Sequence, residues 1–152
     1  MKEQPTFPLE GPLDFMQHLW ELNHALERMS SQMDRTLGVT AQQRLFLRCI
    51  GKYPGMNATQ LASVLHLDRG TVSVSLGRLI KKGLVTGRRQ AGDQRRVALS
   101  LTAKGRVLDR PTAGTVEHSV AQLISKAGPP AVNRAKRVLR LLSEDLTRKL
   151  DR

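Results

Sequence analysis

The 152-residue chain has one cysteine, few aromatic residues and no long apolar run. A single cysteine excludes an intrachain disulfide, and Cys49 falls on the apolar side of a predicted helix, where cysteine usually packs as a small hydrophobe. No apolar stretch approaches the length of a membrane span, and the N-terminus lacks the charged and apolar regions of a signal peptide. We therefore expect a cytoplasmic protein with no membrane partner.

Patterns that hold metals or build catalytic sites are also missing from the sequence. His18 and His24 are six residues apart and point in different directions on a helix, and no Cys-x-x-Cys or His-x-x-x-His pair exists. The sequence has no phosphate-cradling glycine loop and no nucleophile elbow. We expect no metal site, no cofactor and no enzymatic activity.

Acidic residues are scarce relative to basic ones. The chain has 25 lysines and arginines against 13 acidic residues, a net charge of +12 and a pI near 11.1. Residues 1–40 carry a net charge of −3, whereas residues 68–110 carry a net charge of +8. An excess confined to one region indicates a polyanionic partner, either nucleic acid or an anionic membrane surface.

The first half of the chain predicts four helices. A run of apolar residues at three- and four-residue steps predicts a helix over 12–37, which Gly38 ends. Thr40 and Asn57 each precede a glutamine by three residues, the spacing of a capping box, and so predict the starts of the second and third helices. Asp68 is the predicted cap of a fourth helix that runs to about Lys82.

The second half predicts a hairpin followed by further helices. We expect a first strand over 84–90, a tip over 91–94 and a second strand over 95–101, in which apolar and polar residues alternate. Pro111 should kink or break the helix that follows, and a leucine-rich stripe predicts a last helix that ends near residue 150.

Together these elements predict a mainly α fold with a small β-wing. Residues 40–101 have the order of a winged helix-turn-helix, which lays its second helix in the DNA major groove. The helices over 12–37 and 103–150 lie outside that core in sequence, and we expect them to form an arm that holds two copies of the chain together. The predicted partners are double-stranded DNA and a second copy of the chain.

The fourth helix is the predicted recognition helix. With Leu76 at the centre of the buried side, a turn of 100° per residue places Val72, Leu79 and Ile80 beside it. The opposite side then holds small or polar residues near the helix start and cationic ones near its end. Small side chains allow close approach to base edges, and an arginine can bond a guanine with two donors.

The wing is rich in arginine, and an arginine at a hairpin tip can enter a narrow minor groove. Asp93 either has a specific role, to bond the tip backbone or to orient Arg95, or only serves the turn. The candidate DNA contacts on the recognition helix and the wing are Arg69, Thr71, Val74, Ser75, Arg78, Lys81, Lys82, Arg88, Arg89, Asp93, Arg95 and Arg96.

Three segments resemble the multiple-antibiotic-resistance regulator (MarR) family of bacterial transcription factors. They are VTAQQ at residues 39–43, LIKKGLV at residues 79–85, and the wing DQRR at residues 93–96 running into LTAKG at residues 101–105. The resemblance extends over essentially the whole chain. It implies an obligate homodimer on a palindromic site, often modulated by a small-molecule effector. It also implies that Asp93 anchors the wing and that Arg95 reads the minor groove.

Two other functions fit parts of the sequence. An architectural protein that coats DNA with little sequence preference would explain the basic charge, although the polar recognition face would then serve no purpose. A protein-interaction module built on a degenerate winged domain would keep its activity when Arg95 is removed. A preference of roughly 10³ or more for one DNA site over random DNA would favour the regulator.

Overall fold

A computed structural model describes residues 7–151, except for the side chains of Gln94 and Arg95. It confirms a mainly α fold with a two-stranded wing. In chain order the elements are α1 Pro12–Leu37, α2 Ala41–Lys52, α3 Ala58–Leu65, α4 Arg69–Lys81, β1 Val85–Gln90, β2 Asp93–Leu101, α5 Ala103–Leu108, α6 Val116–Ala127 and α7 Pro129–Leu150.

The helix starts follow the capping chemistry that the sequence predicts. Thr40 and Asn57 each accept a bond from a backbone N–H of the first turn, and the glutamine three residues later bonds back to the cap. Asp68 caps α4 by accepting a backbone N–H in the same way. Because each cap satisfies donors that a helix leaves unpaired, these residues fix where α2, α3 and α4 begin.

The hydrophobic core lies under α2, α3, α4 and the base of the wing. Full burial of a valine, leucine, isoleucine, phenylalanine or methionine side chain stabilises a fold by about 1.5–3 kcal/mol relative to its exposure to water. The buried apolar residues that form the core are Val39, Phe46, Leu47, Ile50, Met56, Leu61, Ala62, Val72, Leu76, Leu79, Leu84, Val85, Leu99 and Leu101.

The wing is an antiparallel pair in which Val85 lies opposite Leu101. Its tip is shorter than predicted, because β2 begins at Asp93 and only residues 91–92 separate the strands. The backbone of Leu99 bonds both Gly55 N–H and Met56 C=O at 2.8 Å. The base of the wing is therefore attached to the loop before α3, and this attachment fixes the position of the wing relative to α3.

Two arginines one helical turn apart on α2 hold the end of α5. Arg44 is 1% exposed and donates to the carbonyls of Leu108 (2.5 Å) and Arg110 (2.7 Å). Arg48 donates to the carbonyl and the carboxylate of Asp109. Because the last carbonyls of a helix lack partners within the helix, these guanidinium groups act as its C-terminal cap.

The chain forms two compact units, one ending at Pro111 and the other beginning at Thr112. α1 and α5 group with the winged helix-turn-helix in the first unit. The dimerisation arm over 12–37 and 103–150 stays a prediction. The predicted break at Pro111 is confirmed, since α5 ends at Leu108 and α6 starts at Val116. α6 and α7 contain no buried residue, and large apolar side chains along them are exposed.

Candidate nucleic-acid interface

The start of the recognition helix α4 is organised by Asp68. Its carboxylate accepts the backbone N–H of Thr71 at 2.8 Å and the Thr71 hydroxyl at 2.5 Å. These bonds, the side-chain bond first, lower the pKa of Asp68 below its ordinary value of 3.8. The hydroxyl hydrogen of Thr71 is thus used by the cap, which leaves its oxygen as an acceptor for a DNA contact.

Acidification should weaken this cap. Because the pKa of Asp68 is lower in the folded chain, its contribution to stability is present above the unfolded value and is lost as the pH falls through the folded pKa. Asp68→Asn keeps a capping oxygen without the charge. In urea unfolding at several pH values, the free energy of unfolding of the wild type should exceed that of this variant at neutral pH. The difference should shrink below about pH 4. A gap that stays constant with pH would contradict this.

The exposed side of α4 is rotated from its predicted position. Val74 is 56% exposed, and Arg78 and Lys81 are exposed as predicted. Two placements were wrong. Ser75 is 6% exposed and donates to Gln42 Oε1 at 3.2 Å, whereas Ile80, which the periodicity places inside, is 48% exposed.

The rotation follows from where the core lies. The buried residues of α4 are Val72, Ser75, Leu76 and Leu79, so the buried stripe is centred between Val72 and Leu79 rather than on Leu76. At 100° per residue this is a turn of roughly 50°, which brings position 75 inside and takes position 80 outside. Ser75 is therefore removed from the candidate base contacts.

The same rotation reveals residues that the sequence reasoning missed. Ser73 and Gly77 are exposed on the side of α4 that carries Val74. Apart from its chain neighbours and the backbone of its own helix, no heavy atom lies within 4 Å of the position that a Cβ on Gly77 would take. The periodicity alone could have found both residues if the centre of the buried stripe had been known.

Lys82 also differs from its prediction as a DNA phosphate contact. Its ammonium donates to Gly38 O at 2.7 Å and Gln43 Oε1 at 3.0 Å, and lies 3.6 Å from the carboxylate of Asp34. These partners belong to the end of α1 and the start of α2. The structure therefore corrects the role of Lys82 to a contact within the chain.

The wing presents several exposed arginines. Arg88 and Arg89 on β1 are exposed, and Arg96 on β2 forms an ion pair with Asp93 at 3.3 Å. The pair supports an anchoring role for Asp93 within the wing. The side chain of Arg95 lies outside the described residues, so its place in the minor groove remains a prediction.

A groove of about 540 Å³ separates the first turn of α3 from the wing. Arg69 and Arg96, which are far apart in sequence, both line it. The first turn of α3, residues 57–60, forms its other wall and was not among the predicted contacts. The groove therefore brings one cation of the recognition helix and one of the wing to the same surface beside α3.

Three further features of the described chain concern its cysteine, possible metal ligands and possible membrane-spanning helices. Burial raises the pKa of the Cys49 thiol, which lowers its thiolate fraction and its reactivity. Within residues 7–151, no three His, Cys, Asp or Glu side chains gather in an arrangement that could hold a metal ion. Over the same residues, none of the helices combines the length and apolar character needed to cross a membrane.

The chain is similar in sequence to known regulators. The sequence profile of the MarR family matches residues 37–96. The transcriptional regulator PetP of Rhodobacter capsulatus is 33% identical over 100 residues, which are 66% of this chain and 60% of that protein. The organic hydroperoxide resistance transcriptional regulator of Bacillus subtilis is 29% identical over 100 residues, 66% of this chain and 67% of that protein.

The fold is shared with solved structures that contain DNA or a ligand. Staphylococcus aureus MepR, solved in complex with DNA, superposes with a TM-score of 0.70 at 19% identity, over 90% of this chain and 99% of that one. PcaV of Streptomyces coelicolor, in complex with its natural ligand, gives 0.68 at 20% identity, over 91% and 98%. These likenesses establish the winged-helix fold. The motifs at residues 39–43, 79–85 and 93–105 and the profile match over residues 37–96 agree with this fold and make the winged region similar to that of the MarR family.

Proposed function

We propose that the chain is a sequence-specific DNA-binding transcriptional regulator that acts as a homodimer on a palindromic site. The observation that carries the proposal is that α4 exposes Val74, Arg78 and Lys81, while Arg69 at its start lines the same groove as Arg96 of the wing. A regulator of this kind is not an enzyme and needs no cofactor. It acts on the chromosome. In bacteria, such as those that encode its relatives, the chromosome lies in the cytoplasm.

Different residues along the exposed side of α4 suit different kinds of DNA contact. Ser73 and Gly77 are small, which allows the helix backbone to approach base edges closely. Val74 has no polar atom and suits contact with a thymine methyl group. Arg78 can bond O6 and N7 of a guanine, whereas Lys81, near the end of the helix, suits a phosphate.

The wing supplies the second reading element. Arg88, Arg89 and Arg96 are exposed cations, and Arg95 lies in the same hairpin. A narrow minor groove has an enhanced negative potential that attracts arginine. We propose that the wing enters this groove beside the half-site that α4 reads, with Asp93 fixing the arginine next to it.

The homodimer rests on apolar surface at the two ends of the chain. Phe15 and Trp20 on α1, and Leu139 and Leu146 on α7, are each at least 43% exposed. Large apolar surfaces of this kind mark interaction sites. Two-fold symmetry would place the half-sites about 10 to 10.5 base pairs apart as an inverted repeat. We also propose that a small molecule modulates the dimer, as the ligand complex of PcaV suggests.

Replacing Arg78 tests base reading directly. Arg78→Ala should cost about 1–3 kcal/mol on the preferred site and relax the preference at one base pair in each half-site, because alanine cannot supply the two donors that guanine accepts. The preferred site is obtained by selection from a random DNA pool, and affinities are measured on it and on single-base variants.

Lys81→Ala is the matched control for this test. It removes a cation from the same exposed side of α4. Binding to all sequences should weaken alike, and the salt dependence should fall by about one unit for each phosphate that is no longer neutralised. If both variants weakened binding to every sequence by the same factor, α4 would not read bases. The chain would then be better described as an architectural protein that coats DNA.

A further inference from the structure

The recognition helix is held along one side by the corner between α1 and α2, residues 34–43. Ser75 donates to Gln42 Oε1 at 3.2 Å, and Lys82 donates to Gln43 Oε1 at 3.0 Å. Positions 75 and 82 are two helical turns apart and therefore lie on the same side of the helix axis. Two neighbouring glutamines thus fix the helix at two points, which constrains its direction as well as its location.

The contact at Lys82 joins three helix ends. Its ammonium bonds the carbonyl of Gly38, the left-handed residue that ends α1, and lies 3.6 Å from Asp34 in the last turn of α1. Lys82 is itself the residue that ends α4. A cation is favourable at the negative end of a helix dipole, and this one lies at the C-terminal end of α1 while bonding the first turn of α2.

The environment of Lys82 differs from that of its neighbour. The Lys82 side chain is 35% exposed and its ammonium is bound within the chain, whereas Lys81 is exposed on the side of α4 that carries Val74. Two adjacent lysines therefore present one charge outward and one inward. Only the outward charge is placed to meet a phosphate.

We propose that Lys82 and Ser75 are positioning residues through which the α1–α2 corner sets the direction of the recognition helix on DNA. The inference rests on the proposed function as a sequence-specific regulator. A displacement of the C-terminal end of α1 is transmitted to α4 through these bonds. The corner thereby makes sequence preference depend on the position of α1.

The experiment measures binding of the full-length protein to its selected site and to random DNA over a range of salt concentrations. Lys82→Met should lower the ratio of the two affinities about tenfold, because a misdirected helix no longer meets the base edges, and should leave the salt dependence unchanged. Ser75→Ala should lower the ratio about threefold in the same way. Lys82→Arg, which keeps the charge and the donors, should restore most of the preference.

Lys81→Met is the matched control, and it should weaken binding to both DNAs and reduce the salt dependence while keeping the ratio. Lys82→Met with that same signature, or with an unchanged ratio, would overturn the inference. If circular dichroism shows that Lys82→Met does not fold, the test uses Ser75→Ala instead. An unchanged affinity ratio for Ser75→Ala would then overturn the inference. A wild-type protein that shows no preference at all would instead refute the proposed function.

Discussion

Replacement of Leu146 by aspartate is expected to lower the affinity for a palindromic site by at least about a hundredfold. Leu146 is 54% exposed on α7, which has no buried residue in the described chain and carries Leu139 and Leu150 on the same side. If this stripe holds the dimer, a buried charge would separate the copies. Each winged unit would then bind one half-site alone. The gain in affinity of about 10² to 10⁴ that two linked units provide would be lost.

Sedimentation at several protein concentrations, combined with DNA titrations, measures this effect. Thr147→Asp is the control, because it adds the same charge one residue away on the polar side of α7. It should leave the dimer and its DNA affinity intact. A Leu146→Asp protein that remained a tight dimer with unchanged affinity would show that α7 does not form the interface.

Substitution of Gly105 by alanine should destabilise the first unit by about 1–3 kcal/mol. A Cβ at this buried position of α5 would clash with the backbone carbonyl oxygen of Leu84, the same oxygen that accepts the N–H of Thr102 at 3.1 Å. Backbone cannot move aside as cheaply as a flexible side chain. The helix would have to shift away from the base of the wing, which would weaken the bond to Thr102.

Gly77→Ala provides the opposite expectation in the same protein. Gly77 lies within α4, and a Cβ there would meet no atom within 4 Å beyond its chain neighbours and the backbone of its own helix. Since alanine is the better helix former, this variant should be more stable by about 0.5–1 kcal/mol. Urea unfolding measures both changes, and equal effects of the two substitutions would show that the close approach at Gly105 does not limit packing.

The sequence was sufficient wherever structure depends on local chemistry. The capping boxes at Thr40 and Asn57 and the cap at Asp68 involve residues at most three positions apart, and each was predicted at its observed place. The order of helices and strands followed from the same local patterns. The tip of the wing was predicted two residues too long because strand pairing, rather than turn composition, sets where β2 begins.

The sequence was insufficient wherever the answer depends on distant packing. The orientation of α4 about its axis was misjudged because the centre of its buried stripe is set by the elements below it, which decided the positions of Ser75 and Ile80. The partners of Lys82 lie 39 and 44 residues earlier in the chain, so no local pattern separates its role from that of Lys81. The DNA contacts themselves remain predictions.

Arg44 of α2 makes one attachment of the first unit that does not depend on a titrating partner. A guanidinium keeps its proton throughout the pH range in which proteins fold, and backbone carbonyls do not titrate. The bonds from Arg44 to Leu108 and Arg110 therefore keep their strength in acid, whereas the carboxylate cap of Asp68 does not. Acid stress would loosen the start of the recognition helix while the place where the chain leaves α5 stays fixed.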